Sequence, residues 1–511
     1  MKDLIKILSA VLLVTAINAC TLQEVPDPTN GGGTITITAQ TVQKQDVTNV
    51  PGTKTTLSGV ETHWKGVDDY DGNADKIGIF SPQARTTDGG SDPIKNAEFT
   101  AQTSAKSSSF NGSMYWGNNE PHNFYAYYPR NPGFSGERTE VPISLASAQS
   151  QSAAGNTDHI GALDFMVATP KTVTPPGAVN LTFNHVFSIM EFQITGSGSL
   201  SAVRLTGTNA LACTGTIDLT QTPGVDDIAY TIAQTSTSQT VTVTLGSAAS
   251  LSTTTAVSVF MMILPGTQSG DITIELEIGG SWKSMTKTPP AGGFVRGKKY
   301  NIAVLHDSRD GNLYSYKTIG TQVWMTKNLA YLPAVSPPNV WSNTEPYYYV
   351  YGYSGTVVSE AKATTNYSTY GVLYNWIVAM NGAASSSSSP SGVQGVCPDG
   401  WHLPSEAEWT TLINYLGISV AGGKMKEAGT THWLSPNTGA TNESGFTGLP
   451  GGYKHNNSTF YYLGTSGNWW TTYGIPSLYD ASYISLHKDV SSADIYSTDY
   501  QCGHSVRCVM D

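Results

Sequence analysis

Apolar and polar side chains alternate with a period of two at residues 34–40 (Thr-Ile-Thr-Ile-Thr-Ala-Gln), the pattern of a half-buried β-strand. Similar short stretches recur at residues 76–80, 124–128, 179–183, 188–195, 239–245, 256–264 and 272–278, divided by Gly, Pro, Asn, Asp and Ser. Helical periodicity is nearly absent here, so packed antiparallel sheets are expected. The break at Pro170 to Pro176 divides the region into two units, 34–175 and 176–306. Beyond residue 307 the composition changes. There, residues 405–416 carry a helical signal: Ser405 and Glu408 have the spacing of a capping box, and Trp409, Leu412 and Leu416 fall on one face. A serine tract at 383–390 predicts a flexible loop inside this third, mixed α/β unit, 307–511.

The start of the chain has a different pattern. Lys2 and Lys6 precede an apolar run over 7–16, followed by Ile17-Asn-Ala-Cys20. This is the layout of a secretory signal, 1–19, and the run is short of the ~20 residues a membrane span needs. Its end resembles the lipobox of bacterial lipoproteins. That resemblance implies cleavage before Cys20, acylation of its thiol and anchoring in the outer membrane. Residues 20–33, with Glu24 and Asp27, then form a tether resembling those of surface-exported lipoproteins.

Composition narrows the function classes. At ~150 residues per domain, 511 residues suggest about three domains. Charged residues are only 13%, against ~25% in an average soluble protein. Net charge is -11 and the sequence has no run of Lys or Arg, so the electrostatic footprint of a nucleic-acid binder is missing. The partners expected are protein or glycan.

Candidate chemistry is sparse. Asp69-Tyr-Asp-Gly-Asn-Ala-Asp75 alternates acidic and amide groups as calcium loops do, but the twelfth position is Phe80 where a bidentate Glu belongs. Cys502, His504 and Cys508 have even spacing, and Cys397 or His402 could complete a zinc-like set. Export argues instead for disulfides, and which of Cys213, Cys397, Cys502 and Cys508 pair cannot be settled by counting. No nucleophile elbow, zinc-protease helix or phosphate-binding glycine loop occurs. Neither enzymatic activity, a metal nor a cofactor is therefore expected. Aromatic residues are abundant after residue 307: Glu345-Pro-Tyr-Tyr-Tyr-Val-Tyr-Gly-Tyr353, Phe460-Tyr-Tyr462, Trp469-Trp470 and Tyr473. Tyr347, Tyr349, Tyr351 and Tyr473 are the candidate ligand contacts, since tyrosine offers rigid area with a polar tip.

Several segments carry a family resemblance. Thr53-Lys-Thr-Thr56, Trp64, Asp75-Lys-Ile-Gly-Ile-Phe80, Tyr115-Trp-Gly117, His122-Asn-Phe-Tyr-Ala-Tyr-Tyr-Pro129, Asp164-Phe-Met-Val-Ala-Thr-Pro170, Leu181-Thr-Phe-Asn-His185 and Gly297-Lys-Lys-Tyr300 resemble, in order, the fimbrillin-like pilins. The second resemblance is to the Fibrobacter major paralogous domain. It rests on Asp310-Gly-Asn-Leu-Tyr314, Ile319-Gly-Thr-Gln-Val-Trp-Met-Thr-Lys-Asn-Leu329, Tyr370-Gly-Val-Leu-Tyr-Asn-Trp376, Cys397-Pro-Asp-Gly-Trp-His-Leu-Pro-Ser405, Leu449-Pro-Gly-Gly452 and Ser505-Val-Arg-Cys508.

These resemblances imply a mainly β fold: two tandem transthyretin-like β-sandwiches, then a mixed α/β C-type lectin-like domain. The second implies a disulfide between Cys397 and Cys508, because their motifs are the family's matched ends. The first implies a fimbrial (pilus) subunit that meets other pilus subunits by donor-strand exchange. Residues 34–40 would be the removable strand, and Lys44 or Lys54 the processing site. The folded C-terminal domain leaves no free donor strand, which implies a tip adhesin binding a host or bacterial surface protein or glycan. The alternative is a non-polymerising surface lipoprotein that binds glycans.

Overall fold

The computed structural model describes residues 33–41, 56–58, 61–69, 73–118, 120–224 and 227–511. The chain is mainly β, 42% strand and 8% helix, as the period-two stretches predict. Residues 272–278, for instance, form the strand Ile272–Ile278 with every second residue buried. No helix among the described residues is long and apolar enough to cross a membrane.

The N-terminal sheet runs in the order Met166–Ala168, Val179–His185, Ile37–Thr41, Ser107–Asn111, Pro93–Ala101, Lys76–Arg85, His122–Tyr128, Lys171–Val173. Met166–Ala168 also pairs with His122–Tyr128, so the sheet closes on itself. Inside, the Trp64 indole meets Phe110, Tyr128 and Phe183 edge-on, an arrangement aromatic quadrupoles favour. Asp75 ties the entry to this barrel: its carboxylate accepts the Lys65 N–H (2.7 Å) and the Tyr128 hydroxyl (2.9 Å).

Ile37–Thr41 is an interior strand. It lies between Val179–His185, parallel, and Ser107–Asn111, antiparallel. Ile35, Ile37 and Ala39 face the core, and the Trp64 indole donates to the Ala39 carbonyl (3.1 Å).

The second unit packs a five-stranded sheet (Ser281–Lys287, Ile272–Ile278, Ser199–Thr206, Thr240–Ser250, Ala148–Gln151) against a seven-stranded one. A single apolar core lies between them. The boundary at 175/176 needs correction in both directions. Val179–His185 pairs with the N-terminal Ile37–Thr41, while Val141–Leu145 and Ala148–Gln151 pair with Ala212–Ile217 and Thr240–Ser250. The proline break lies within the N-terminal sheet, between Lys171–Val173 and Val179–His185, because hydrogen-bond pairing, not chain order, decides which core a strand buries.

The 306/307 boundary also falls inside a sheet. Lys299–Asp307 turns at Gly311 (φ 78°) into Asn312–Ile319, its antiparallel neighbour. The seven-stranded sheet continues through Gln322–Met325, Val509–Met510 and Trp401–His402. The second and third units therefore share one sheet.

In the third unit Glu406–Leu416 is a helix with its capping box formed: Ser405 Oγ accepts the Glu408 N–H (3.3 Å) and Glu408 Oε2 accepts the Ser405 N–H (3.0 Å). Trp409, Leu412 and Leu416 bury one face among Trp324, Phe446 and Trp469. Trp376 and Trp401 are buried as well. Cys397 and Cys508 are disulfide-bonded, 111 residues apart, with Cα atoms 6.0 Å apart. Arg507 is buried, and among the described residues no carboxylate pairs with it. Its guanidinium donates to the carbonyls of Met325 (3.2 Å) and Phe446 (2.6 Å) and to Asn328 Oδ1 (2.7 Å). Burial lowers its pKa to about 9, still cationic at neutral pH.

Candidate functional site: an aromatic row across the C-terminal sheet

The third unit holds a five-stranded sheet in the order Phe460–Leu463, Gly451–Lys454, Ser466–Ile475, Asp480–His487, Ala493–Asp499. Period-two geometry puts Tyr483 opposite Tyr496 on neighbouring strands, and Tyr453 opposite Tyr461. Residues 503–505 thread the gap between them. Lys454 and Gly503 exchange two backbone hydrogen bonds (2.9 and 2.7 Å), and Trp470 N–H donates to the Ser505 carbonyl (3.1 Å). This inserts His504 between two tyrosines.

The rings form one near-parallel series. Tyr462 lies 5.9 Å from Tyr453, Tyr453 5.3 Å from His504, His504 4.4 Å from Tyr483 and Tyr483 5.9 Å from Tyr496, with interplanar angles of 24°, 21°, 15° and 35°. Trp470 supports His504 edge-on at 4.4 Å. The outer members are open, Tyr462 at 57% and Tyr496 at 53% exposure, and Tyr453, Tyr461 and Tyr483 are half-buried. Burial raises the phenols of Tyr453 and Tyr483 to about 12. Burial, helped by His455, lowers His504 to about 3. Tyr453, His504 and Tyr483 are therefore neutral near pH 7, presenting rings and hydroxyls rather than charge.

Beneath it lies an unusual cation. Lys454 is fully buried, its ammonium has no hydrogen-bond partner among the described residues, and it sits 4.7 Å from the centre of the Tyr349 ring. Burial lowers its pKa to about 8. Lys426, lowered to a similar value, instead donates to three carbonyls, of Thr438, His487 and Val490 (2.8–2.9 Å).

The four tyrosines expected as contacts are not gathered in one place. Tyr349 is a correction: it is fully buried, its hydroxyl donates to the Val340 carbonyl (2.7 Å), and a Cβ on Gly503 would come within 3.0 Å of its ring. It is core, because the two-residue strand Tyr348–Tyr349 pairs with Leu373–Tyr374 and turns it inward. Tyr347 is half-buried and stacks on Tyr349 at 6.3 Å. Tyr351, also half-buried, packs on Phe460 at 5.0 Å beside the row. Tyr473 is 39% exposed but joins no ring pair among the described residues. The row's Tyr453, Tyr483 and Tyr496 were missed. The signal available was the turn chemistry of Lys488-Asp-Val-Ser-Ser492, which makes Tyr483 and Tyr496 cross-strand neighbours of a hairpin.

Other expected sites fall as follows. Cys20, Lys44 and Lys54 lie outside the described residues. Cys213 and Cys502 are free and buried, and burial raises both thiols. Thr498 donates its hydroxyl to Cys502 Sγ (3.4 Å), and the disulfide takes Cys508 away from any zinc-like set. Among the described residues no His, Cys, Asp or Glu group is arranged to hold a metal ion.

Comparison with known proteins matches two stretches of the chain. Residues 65–313 match the fimbrillin-like family model, and residues 318–510 match that of the Fibrobacter succinogenes major domain. Among solved structures, a protein described as a cell adhesion protein from Bacteroides ovatus aligns at 12% identity over 56% of this chain and 96% of its own, with a TM-score of 0.39. A fimbrial protein from the same species aligns at 11% over 94% of this chain and 99% of its own, TM-score 0.26. The tip fimbrial protein of Porphyromonas gingivalis, truncated at its C-terminus, aligns at 9% over 55% and 98%, TM-score 0.28. No curated protein matched.

The chain thus joins a fimbrillin-like region to a Fibrobacter succinogenes major domain. The fimbrillin-like match supports a fimbrial subunit that meets other pilus subunits at the cell surface.

Proposed function

We propose that this protein is exported as a lipoprotein acylated on Cys20 and serves as a fimbrial tip adhesin, binding a surface glycan or protein through its lectin-like C-terminal unit. The observation that carries the adhesive assignment is the series of five stacked rings, open at both ends, on a neutral face. Aromatic edges with phenol hydroxyls suit a ligand that is both apolar and hydroxylated. No catalytic role is assigned.

Polymerisation is supported by the interior position of Ile37–Thr41. Its loss would leave a groove between Val179–His185 and Ser107–Asn111 whose unpaired backbone and apolar pockets call for a replacement strand. Val509–Met510 is engaged between Gln322–Met325 and Trp401–His402. That strand is held inside this chain's own seven-stranded sheet.

The test uses the full chain, because cutting at 307 would sever the shared sheet. Tyr453→Ala, Tyr483→Ala and Tyr496→Ala are measured for cell and glycan-array adhesion and for melting temperature. A contact residue loses at least ~2 kcal/mol of binding, roughly thirtyfold, at unchanged stability. Loss of adhesion only in proportion to lost stability would make the row scaffold and sink the assignment.

A further inference from the structure

Lysines scattered through the sequence meet at the seam between the second and third units. Ser281–Lys287 is an outer strand of its sheet and packs along Asn312–Ile319. Lys283 reaches over Gly311, where a Cβ would come within 2.7 Å of its Nζ, and Lys317 reaches over Gly445 in the same way at 2.9 Å. Burial, reinforced by the Lys317 charge, lowers the Lys287 pKa; burial also lowers Lys327, with Asp271 opposing. Among the described residues neither the Lys287 nor the Lys327 ammonium makes a hydrogen bond or ion pair.

Beside these charges the seam opens into a cleft of about 290 Å³. Thr273, Ser284 and Thr286 line the sandwich side, and Lys327, Tyr367 and Thr369 line the other. The hydroxyls of the four Thr and Ser residues form no hydrogen bonds among the described residues. The nearby acids are already engaged. Asp271 accepts the Thr288 hydroxyl (2.9 Å), and Glu275, opposite Ser284 in the sheet, pairs with Arg204 (3.3 Å).

We propose that this seam is a second ligand site, which binds an acidic saccharide with its carboxylate at Lys327 and its ring hydroxyls against Thr273, Ser284, Thr286 and Thr369. The cleft has the size of the smallest ligand pockets, ~300 Å³, room for one sugar ring. A neutral sugar would leave the ammonium unmatched, and a simple inorganic anion would leave the hydroxyls unused. The site is separate from the tyrosine row, so either assignment can fail without the other.

The test titrates the full chain with sodium glucuronate, glucose and inorganic phosphate at low ionic strength, where charge recognition is least screened. Calorimetry and ligand-observed NMR supply the readout. Glucuronate is expected to bind at least tenfold tighter than glucose or phosphate. Lys327→Gln should reduce it to the glucose level, Thr286→Val should weaken it severalfold, and Tyr453→Ala should leave it unchanged. Melting temperature checks each variant, and Thr369→Val, which lines the Lys327 side of the cleft, serves if Lys327→Gln does not fold. Three outcomes overturn the proposal: no preference for glucuronate over glucose, equal binding of phosphate, or binding that depends on Tyr453 rather than on the lysines.

Discussion

His402 Nε2 lies 2.7 Å from Glu408 Oε1, so one carboxylate both caps the Glu406–Leu416 helix and holds the imidazole of the strand beside it. Glu408 Oε2 also accepts the N–H groups of Ser405 (3.0 Å) and Ser391 (3.1 Å), while Asp511 Oδ1 takes His402 Nδ1 at 2.7 Å. Burial works to lower the His402 pKa, but the hydrogen bonds and charges of Glu408 and Asp511 outweigh it and raise the pKa above 6.5.

A raised histidine pKa stabilises the fold fully below its unfolded value of 6.5, and that contribution is lost as pH rises through the folded value. Urea unfolding of the wild type should therefore lose stability across this window, and His402→Asn should flatten the loss. Parallel pH curves for the two proteins would count against the pairing. Glu408→Ala, which strips the cap and strands His402, should cost roughly 1–3 kcal/mol.

Lys454 should behave in the opposite sense. Its pKa falls from 10.5 to about 8 on folding, so the unfolded chain binds the proton more tightly and the cation destabilises the fold at pH 7. Stability from this group should rise between pH 8 and 10.5. Lys454→Met should remove that rise and stabilise the protein at neutral pH by up to about 3 kcal/mol, at 1.36 kcal/mol per unit. Lys426→Met should do the reverse, because it strands three carbonyls. A melting temperature lowered equally by both substitutions would mean that the Lys454 ammonium has a partner.

The Cys397–Cys508 bond closes a loop of 111 residues, for which chain-entropy estimates give on the order of 4–5 kcal/mol. Cys508→Ser should lower the urea midpoint accordingly. Non-reducing peptide mapping should recover the 397–508 link, with Cys213 and Cys502 alkylated only after unfolding. A peptide joining Cys502 to Cys508 would show the pairing to be wrong.

Export and processing make a fourth prediction. Cys20→Ala should abolish incorporation of a fatty-acid analogue, and Lys54→Gln together with Lys44→Gln should block removal of the N-terminal strand. N-terminal sequencing of the surface protein reads the second result. Intact, acylated chains on wild-type cells would favour the non-polymerising surface lipoprotein.

Local patterns carried much of the fold. Alternation at 34–40 and 272–278 sufficed for strands, because one buried face demands period two, and Ser405 with Glu408 sufficed for a helix start. The domain limits failed where they assumed that neighbours in sequence share a sheet: Val179–His185 pairs backwards with Ile37–Thr41. The tyrosine run at 347–353 drew attention by its density, yet density does not report exposure. Tyr349 is core, while isolated Tyr453, Tyr483 and Tyr496 line up on three strands.

By itself the sequence determined those properties that depend on a residue and its near neighbours: strand and helix periodicity, capping, turn chemistry and the family motifs. The tertiary structure decided which aromatic rings are open, which lysines lack partners and where the two C-terminal units meet. These depend on pairings such as Lys454 with Gly503 and Trp324 with Val509. Burial and electrostatic environment are set by whatever the fold brings within a few ångströms. Residues that meet from far apart in the chain leave no local pattern to read.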